Sequence, residues 1–323
     1  MRLSVFFHGA CFDGTASAAL FARFHRDTIL PGADLNTVGM RHRDGDPFAD
    51  VPIDGDDNAC VDFRYCADPR MRWWFDHHRT AFQPPALRER FVAAASPTAF
   101  FDPDAPSCAG LVARTTAAQF GWTPPPNLVE LVRWADIIDA ARFASAAEAT
   151  SLAQPAQRLA LWLGSADDAA INAYIAALVD GARLGELDAA PGIHPAIEAL
   201  VASRAANQAA IAAAARPGDE VVVFDLADEL GAPAIGFVGY QLFPHCRYTV
   251  SITRSAHAVK VGAGWNPWGP PRRHDVGALC EQHGGGGHAA VGGVTLEPGE
   301  LARGRAVVAA LAAALAVDTP PPP

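Results

Sequence analysis

Long hydrophobic runs are absent from this chain of 323 residues. No apolar segment reaches the roughly 20 residues that a membrane-spanning helix needs. The first residues also lack the layout of a signal peptide, because His8, Cys11 and Asp13 interrupt the hydrophobic stretch at the start. We therefore expect a cytoplasmic protein that has no membrane partner.

Cysteine is scarce, and its spacing forms no framework of the kind found in small disulfide-rich domains. No two of the six cysteines form a Cys-x-x-Cys pair. They are Cys11, Cys60, Cys66, Cys108, Cys246 and Cys280. This distribution is typical of reduced thiols, and it argues against a structural zinc knuckle.

Positive charge is also limited, since the formal net charge is −10. Proteins that bind long duplex nucleic acid usually present a basic face, and this sequence has no obvious one. The basic residues nearest the candidate motifs are Arg41, Arg43, Arg64, Arg79, Arg254, Lys260, Arg272 and Arg273. So small a set suits a substrate with a few phosphates, whose remaining charge metal ions could neutralise.

The most informative segment that is present runs from Trp73 through Phe75 into Asp76, His77 and His78. Bulky aromatic residues predict a short buried strand, and open parallel sheets bind their ligands at the carboxyl ends of strands. Carboxylate and imidazole groups bind Mn²⁺, Fe²⁺, Co²⁺ or Zn²⁺. Taken alone, the tripeptide is equally compatible with a solvated surface turn.

Three further segments place acids and histidines near predicted strand or helix ends. Leu3–Phe7 predicts a strand and Thr15–Phe24 a helix, with a polar loop between them; Ala59–Phe63 predicts another strand. The segment from 134 to 143 adds two acids. The candidate metal-binding groups are His8, Asp13, Asp62, Asp76, His77, His78, Asp136 and Asp139. In a doubly wound sheet these groups could converge.

The fold class predicted from the order of elements is α/β. Residues 1–150 alternate apolar runs with helical stretches, which predicts an N-terminal doubly wound parallel sheet domain. Residues 151–216 are rich in alanine and predict a helical connector. Residues 217–318 combine β-prone runs with glycine and predict a smaller C-terminal α/β domain with a mixed sheet. Residues 319–323, a proline tail, are predicted to be disordered.

These motifs and their order resemble the DHH phosphoesterase superfamily, which is named for the tripeptide Asp76-His77-His78. The first family motif resembles His8–Ser17, the second is similar to Asp62, and the fourth resembles Asp139–Phe143. Gly284–Gly293 resembles the glycine-rich signature of the DHH-associated C-terminal domain. The resemblance covers most of the chain, and it extends to members of the nanoRNA/oligoribonuclease and 3′-phosphoadenosine 5′-phosphate phosphatase types.

The resemblance implies a catalytic centre with two divalent metal ions, most commonly Mn²⁺. The implied ligands of the first ion are His8, the residue at position 11 and Asp62. Those of the second are Asp13, Asp62, His77 and the acid of the fourth motif. Asp62 would bridge the ions, and together they would activate a water molecule for phosphoryl displacement. Asp76 and His78 would support the site by orienting an imidazole or contacting phosphate.

Two points in this ligand set stay open. Asp136 and Asp139 lie three residues apart on one predicted helix, so either could point at the metals, although Asp139 matches the family spacing better. Cys11 replaces the acid that many family members carry. A thiolate there would bias the site towards Fe²⁺, Co²⁺ or Zn²⁺, a neutral thiol would weaken it, and a buried thiol could also bind nothing.

The C-terminal signature implies a substrate-binding role for the second domain. Glycine allows backbone N–H groups to approach a phosphate closely. The implied substrate-binding residues are His78, Arg254, Asn266, Gly284, Gly285, Gly286, Gly287 and His288. Trp268 could stack on a base in a cleft between the domains, or it could belong to the core.

The function that the sequence predicts is metal-dependent hydrolysis of phosphodiester or phosphomonoester bonds in short nucleotidic substrates. Short oligoribonucleotides, linear or cyclic dinucleotides and 3′-phosphoadenosine 5′-phosphate are the candidates. An inorganic pyrophosphatase or polyphosphatase is one alternative, although those relatives carry a different C-terminal domain. A non-catalytic nucleotide-binding protein with a degenerate metal site is the other. The sequence leaves a homodimer open.

Overall fold

A computed structural model describes residues 1–43, 45–231 and 235–317, and these residues divide into two units. Unit 1 comprises Met1–Arg41, Asp46–Phe143 and Ser151–Leu200. Unit 2 comprises His42–Gly45, Ala144–Thr150 and Val201–Pro323. The proline tail that is predicted to be disordered, residues 319–323, lies outside the described residues.

The strands of unit 1 lie within the first 101 residues, where helices follow β1, β4 and β5. The strands are β1 Arg2–His8, β2 Asp34–Met40, β3 Asp57–Val61, β4 Trp73–Asp76, β5 Ala99–Phe101, β6 Ala215–Pro217, β7 Val221–Leu230, β8 Tyr248–Arg254, β9 Val259–Trp265, β10 Gly286–Gly287 and β11 Val291–Leu296. The helices are α1 Phe12–Phe24, which a π-helical turn at His25–Ile29 extends, α2 Ala86–Ala94, α3 Cys108–Phe120, α4 Pro126–Asp139, α5 Ala146–Ala149, α6 Pro155–Leu163, α7 Asp168–Val179, α8 Leu184–Asp188, α9 His194–Ala202, α10 Arg204–Ala213, α11 Val238–Leu242, α12 Val276–Glu281 and α13 Leu301–Ala316.

Unit 1 contains a parallel sheet with the strand order β2-β1-β3-β4-β5 in its described part. Every residue of β3 and β4 is buried, as expected for strands covered on both faces. Ala59–Val61 and Trp73–Phe75 are their apolar parts. The strand order reverses beside β1, because β2 and β3 lie on opposite sides of it. Ligands of open α/β sheets bind at such a reversal, beyond the carboxyl ends of the strands. The predicted parallel α/β fold is confirmed.

Helix α1 lies in the middle of unit 1, and all of its residues except Arg23 are buried. It contacts β1, α3, α4 and α7. Small side chains make this position favourable, because alanine lets neighbouring elements approach from every side of the helix. The helix begins at Phe12, earlier than the predicted start at Thr15, so Asp13 lies in its first turn.

Unit 2 contains a mixed sheet with the order β10-β11-β9-β8-β7-β6 among the described residues. Strands β7 and β8 pair in parallel, and the other neighbours are antiparallel. Helix α13 packs its Val307, Val308 and Leu311 against the apolar face of β8 and β9. This sheet matches the predicted C-terminal α/β domain with a mixed sheet.

The two units divide the chain differently from the predicted domains. Helices α6, α7 and α8, in the first part of the predicted connector, belong to unit 1, whereas the chain from Val201 onwards belongs to unit 2. Helix α7 buries Ile171, Tyr174 and Ile175 and contacts α1. An alanine-rich sequence predicts helices, but it does not show which core their apolar faces join. In the described part of the chain, no helix has both the length and the apolar character needed to cross a membrane.

The turn between β1 and α1 depends on Gly14. A Cβ atom at this position would lie 2.1 Å from the carbonyl oxygen of His8. That oxygen belongs to the backbone, so the contact could be relieved only by moving β1 or α1. We therefore infer that a glycine is required where the first strand passes into the first helix.

We expect the substitution Gly14→Ala to lower the free energy of unfolding by about 1–3 kcal/mol, because overpacking displaces well-packed neighbours. Gly185→Ala in α8 is the matched control. A Cβ atom there has no neighbour within 4 Å, and alanine should be neutral or stabilise by up to about 1 kcal/mol. Urea unfolding of both variants measures the difference. Equal stability of the two would show that the turn tolerates a side chain.

Candidate metal centre

Acids and histidines gather at the carboxyl edge of the parallel sheet in unit 1. His8 is the last residue of β1, Asp62 directly follows β3, and Asp76 ends β4. His77 and His78 come next. Parallel strands that pair side by side end at the same edge. The topology of the sheet therefore brings together residues that are far apart in the sequence.

Two helices add further carboxylates to this cluster. Asp13 lies in the first turn of α1, and Asp139 is the last residue of α4. The His77 Nε2 atom lies 3.4 Å from Asp13 Oδ2, 3.4 Å from Asp62 Oδ1 and 3.5 Å from Asp139 Oδ2. Three acids thus surround one imidazole nitrogen. These short separations are the geometry expected of groups that share a cation.

Asp62 lies at the centre of the cluster. Its φ angle of 56° is in the left-handed region, which aspartate tolerates better than most residues. The side chain is 1% exposed, and neither carboxylate oxygen makes a hydrogen bond to the described residues. His8 Nδ1 lies 3.7 Å from Asp62 Oδ2, and His78 Nδ1 lies 3.8 Å from Asp62 Oδ1. A buried carboxylate without hydrogen bonds is unfavourable unless another charged group compensates it.

Helix α3 positions Asp13. The backbone N–H groups of Cys108 and Ala109, the first residues of this helix, donate to the two carboxylate oxygens of Asp13 over 2.7 and 2.9 Å. The first turn of a helix leaves its N–H groups without intrahelical partners and carries partial positive charge. Asp13 is therefore oriented by the backbone before it meets any ligand.

Asp136 supports the same helix end instead of joining the cluster. The Ser107 hydroxyl accepts from Gly110 N over 2.9 Å and so caps α3, and it donates to Asp136 Oδ1 over 2.6 Å. This bond directs the carboxylate of Asp136 to the cap. Asp139, one helical turn later, is the residue that lies beside His77.

The DHH residues orient one another. Asp76 Oδ1 accepts from the backbone N–H of His77 over 2.8 Å and pairs with His78 Nδ1 over 2.7 Å. His77 Nδ1 donates to the carbonyl oxygen of Ala105 over 3.0 Å, which in the neutral imidazole leaves Nε2 as the unprotonated nitrogen facing the acids. Such partners on the far side of an imidazole are typical of metal-binding histidines.

The carboxylates of the cluster differ in their affinity for protons. Burial raises the pKa of Asp13 well above its ordinary value, and repulsion from Asp62 and Asp139 adds to this effect. Burial likewise raises the pKa of Asp139. For Asp62, burial also acts to raise the pKa, but the imidazoles of His77 and His8 outweigh it and lower the pKa. One acid of the cluster is therefore ionised while its two neighbours retain protons more readily.

The imidazoles show the complementary behaviour. Burial acts to lower the pKa of His77, but Asp62 and Asp13 overcome it and raise the pKa well above its ordinary value. His8 follows the same pattern, with Asp62 raising its pKa against the effect of burial. The pKa of His78 is raised against burial by Asp76. Without a cation, protons on these groups balance the buried negative charge.

The donor atoms fit divalent metal ions. Within unit 1, three groups of donors each lie within 4.8 Å of one another: His8, Cys11 and Asp62; Asp13, Asp62 and His77; Asp62, Asp76 and His78. Two bonds of about 2.0–2.3 Å to one ion would place two donors at most roughly 4.6 Å apart. Asp62 belongs to every group, and its oxygens lack hydrogen bonds. The residues present therefore fit the two-ion centre that the resemblance implies.

The glycine-rich segment in unit 2 serves backbone packing. Cβ atoms at Gly285 and Gly287 would lie 2.0 Å from Gly293 O and 2.3 Å from Val291 O. The N–H groups of Gly284 and Gly285 donate to carbonyl groups of α12, and the N–H of His288 donates to Val291 O. These three N–H groups are engaged within the protein. A phosphate contact of Gly284–Gly287 stays a prediction.

The other substrate-binding candidates of unit 2 fall into two groups. Asn266 is fully buried, and its amide bonds to Pro244 O, Cys246 O and Trp268 N. Trp268 packs beside the rings of Phe237 and Tyr240. Both residues thus have structural contacts. Arg254 and His288 are partly buried, and Arg254 donates to Asp228 O over 3.3 Å.

Sequence reasoning missed the role of the α3 cap in holding Asp13. The helix start after Ser107 is visible in the sequence, because serine is a favoured cap before an apolar helix. The link to an acid 95 residues earlier is not visible. Only the packing of α1 against α3 creates it.

No protein-family model matches the sequence, and no curated protein matches it significantly. Solved structures do match. The pGpG-specific phosphodiesterase PggH from Vibrio cholerae is 22% identical, with a TM-score of 0.63 over 97% of this chain and 99% of that chain. An exopolyphosphatase-related protein from Bacteroides fragilis is 13% identical, with a TM-score of 0.57 over 97% and 92% of the two chains.

RecJ from Thermus thermophilus in complex with Mn²⁺ is a third match, at 16% identity and a TM-score of 0.51. The alignment covers 99% of this chain and 53% of RecJ. These three proteins are DHH-family members. This chain therefore has the fold of the DHH family, and the resemblance that its motifs predict is confirmed at the level of the fold.

Proposed function

We propose that this protein is a two-metal phosphoesterase that hydrolyses phosphodiester or phosphomonoester bonds in short nucleotidic substrates. The observation that carries the proposal is the buried carboxylate of Asp62, which has no hydrogen bond within the described residues and belongs to every donor group of unit 1. The phosphodiesterase activity named for PggH, which has the same fold over nearly its whole length, supports the reaction class.

Two sets of ligands are proposed. The first metal position consists of His8, Cys11 and Asp62, and the second metal position consists of Asp13, Asp62, His77 and Asp139. We favour Asp139 over Asp136 because Asp139 lies beside His77, whereas Asp136 accepts a hydrogen bond from Ser107. Two cations bound there would supply an activated water molecule and would stabilise charge on the phosphoryl oxygens. Mn²⁺ is supported by the RecJ complex.

The residues around the proposed metal positions have different roles. Asp62 would belong to both positions. The α3 N-terminus orients Asp13, and its N–H groups oppose the rise in the pKa of that carboxyl. Asp76 fixes the ring of His78 through its Nδ1 atom, so that the other ring nitrogen can bond a phosphate oxygen. The His78 side chain is 14% exposed, more than those of the other DHH residues, which suits contact with a substrate.

The proposed substrate is a short nucleotide with few phosphates. The net charge of −10 disfavours binding to a long duplex, and the name of PggH specifies pGpG. In unit 2 we propose Arg254 and His288 as substrate contacts. Gly284, Gly285 and Asn266 would act indirectly, by shaping the backbone around them. Cytoplasmic location and a homodimer stay predictions.

Polyphosphate hydrolysis is the second candidate. The exopolyphosphatase-related protein aligns over 92% of its own length, including the region of unit 2. The presence of this second unit therefore does not separate nucleotidic from polyphosphate substrates. Both reactions would use the same proposed metal ligands, so the choice between them is a question of substrate.

We expect Asp62→Asn to reduce turnover by at least ~10³-fold, in line with loss of a principal electrostatic stabiliser. Asparagine suits this test better than alanine, because it also tolerates the left-handed backbone at position 62. The assay compares short RNA, linear and cyclic dinucleotides, 3′-phosphoadenosine 5′-phosphate, pyrophosphate and polyphosphate. Asp68→Asn, which changes an acid paired with Arg70 outside the cluster, is the control and should remain active.

Near wild-type turnover by the chelated and dialysed protein would contradict the two-metal proposal. Faster hydrolysis of polyphosphate than of every nucleotide would favour the second candidate. Bound metal without turnover of any substrate would instead indicate a nucleotide-binding protein.

We expect metal binding to release protons and to strengthen as the pH rises. His8, His77, Asp13 and Asp139 have raised pKa values, and each must lose its proton to bind a cation, whereas Asp62 is already ionised. Affinity for Mn²⁺ should be at least ~10-fold weaker at about pH 6 than at about pH 8. Calorimetric titrations in two buffers of different ionisation enthalpy measure both effects. Affinity independent of pH would contradict this proton linkage.

We expect Asp139→Asn to weaken metal binding by on the order of 10–100-fold and Asp136→Asn to leave it nearly unchanged. The asparagine at 136 can still accept the hydrogen bond from Ser107, so the α3 cap survives. Elemental analysis of the two desalted proteins gives the metal content, and thermal unfolding checks the fold. Loss of metal from the Asp136 variant alone would reverse the assignment.

A further inference from the structure

We propose that the two metal positions select different metals, with Fe²⁺ or Zn²⁺ at the first position and a harder ion such as Mn²⁺ at the second. The inference rests on the proposed function, because it assumes that both positions bind cations. The two positions differ chemically because the first includes the sulfur atom of Cys11.

The first metal position has donors of three kinds. The ligand atoms of His8, Cys11 and Asp62 lie within 4.8 Å of one another and offer nitrogen, sulfur and oxygen. Sulfur is a soft donor that favours Fe²⁺ and Zn²⁺ over Mn²⁺ and Mg²⁺. A site with one thiolate and one imidazole therefore prefers the borderline ions of the first transition series.

The second metal position is dominated by oxygen. Asp13, Asp62 and Asp139 contribute carboxylates around the single imidazole of His77. Carboxylate oxygen suits Mn²⁺ and Mg²⁺. The two positions share Asp62, so their selectivity differs through the remaining ligands, and sulfur occurs only at the first.

The backbone fixes Cys11 at this position. Its carbonyl oxygen accepts from both the N–H and the hydroxyl of Thr15, at 3.1 and 3.0 Å. Cys11 is the N-terminal flanking residue of α1 and has an extended conformation, with φ −117° and ψ 141°. These bonds hold the backbone of Cys11 at the start of α1. The adjacent carboxylate of Asp62, 1% exposed and without a hydrogen bond in the described structure, provides an independent sign of a ligand here.

The other five cysteines differ from Cys11 in burial and in their neighbours. Cys60, Cys66, Cys108, Cys246 and Cys280 are buried, whereas Cys11 is partly exposed. The Cys108 thiol, for example, donates to Phe75 O over 3.3 Å. Among the described residues, only Cys11 belongs to a group of metal-binding donors. Its surroundings therefore differ from those of an inert core thiol.

The test adds Co²⁺ to the metal-free full-length protein and records the near-ultraviolet absorption produced by thiolate-to-Co²⁺ charge transfer. We expect the band to rise with the first equivalent and to be complete before the second has bound. Cys11→Asp should lack the band while binding two ions, and Cys66→Ser should keep it. The Zn²⁺ to Mn²⁺ selectivity of the Cys11→Asp variant should fall by on the order of 10–100-fold.

The outcomes separate this inference from the proposed function. Two bound Co²⁺ ions without the charge-transfer band in the wild-type protein would overturn the inference and leave a two-metal enzyme. An unchanged band or unchanged Zn²⁺ selectivity in Cys11→Asp would also overturn it. Failure of the wild-type protein to bind any divalent ion would overturn the proposed function itself.

Discussion

The electrostatics of a buried carboxylate, Asp62, dominate the structure of unit 1. A charge removed from water is strongly unfavourable unless nearby groups compensate it. Here two imidazoles lower the pKa of Asp62, although burial acts in the opposite direction. The parallel pairing of β1, β3 and β4 brings their ends to one edge, where His8, Asp62 and His77 meet. The apolar sheet beneath is the support that holds these charged groups at close range.

Much of this arrangement could be predicted from the sequence because it is local. The aromatic run at Trp73–Phe75 indicates a buried strand, and the polar residues that follow mark its end. The same reasoning applies to Leu3–Phe7 and His8. Parallel strands then bring such ends together without any knowledge of side-chain contacts. The family resemblance also implied which residues would bind each metal ion. Hydrophobic periodicity alone does not provide this information.

The features that could not be predicted depend on contacts between distant segments. The bond from α3 to Asp13 spans 95 residues and exists only because α1 packs against α3. Asn266 reads as a polar candidate in the sequence, yet its amide is bonded within unit 2. Likewise, the sequence leaves both Asp136 and Asp139 possible, although Asp139 matches the family spacing better. In the structure the Ser107 hydroxyl donates to Asp136, and Asp139 lies beside His77. Composition cannot reveal which partner a polar group finds.

The glycine pair Gly286–Gly287 forms β10, a short strand at one edge of the unit 2 sheet. β10 is an edge strand of two residues, and β6 at the opposite edge has three and ends at Pro217. Long exposed edges can pair with strands of other chains, and short edges or proline suppress such pairing. A segment that resembles a ligand-binding signature therefore also limits uncontrolled association, by leaving little backbone for a foreign strand to extend.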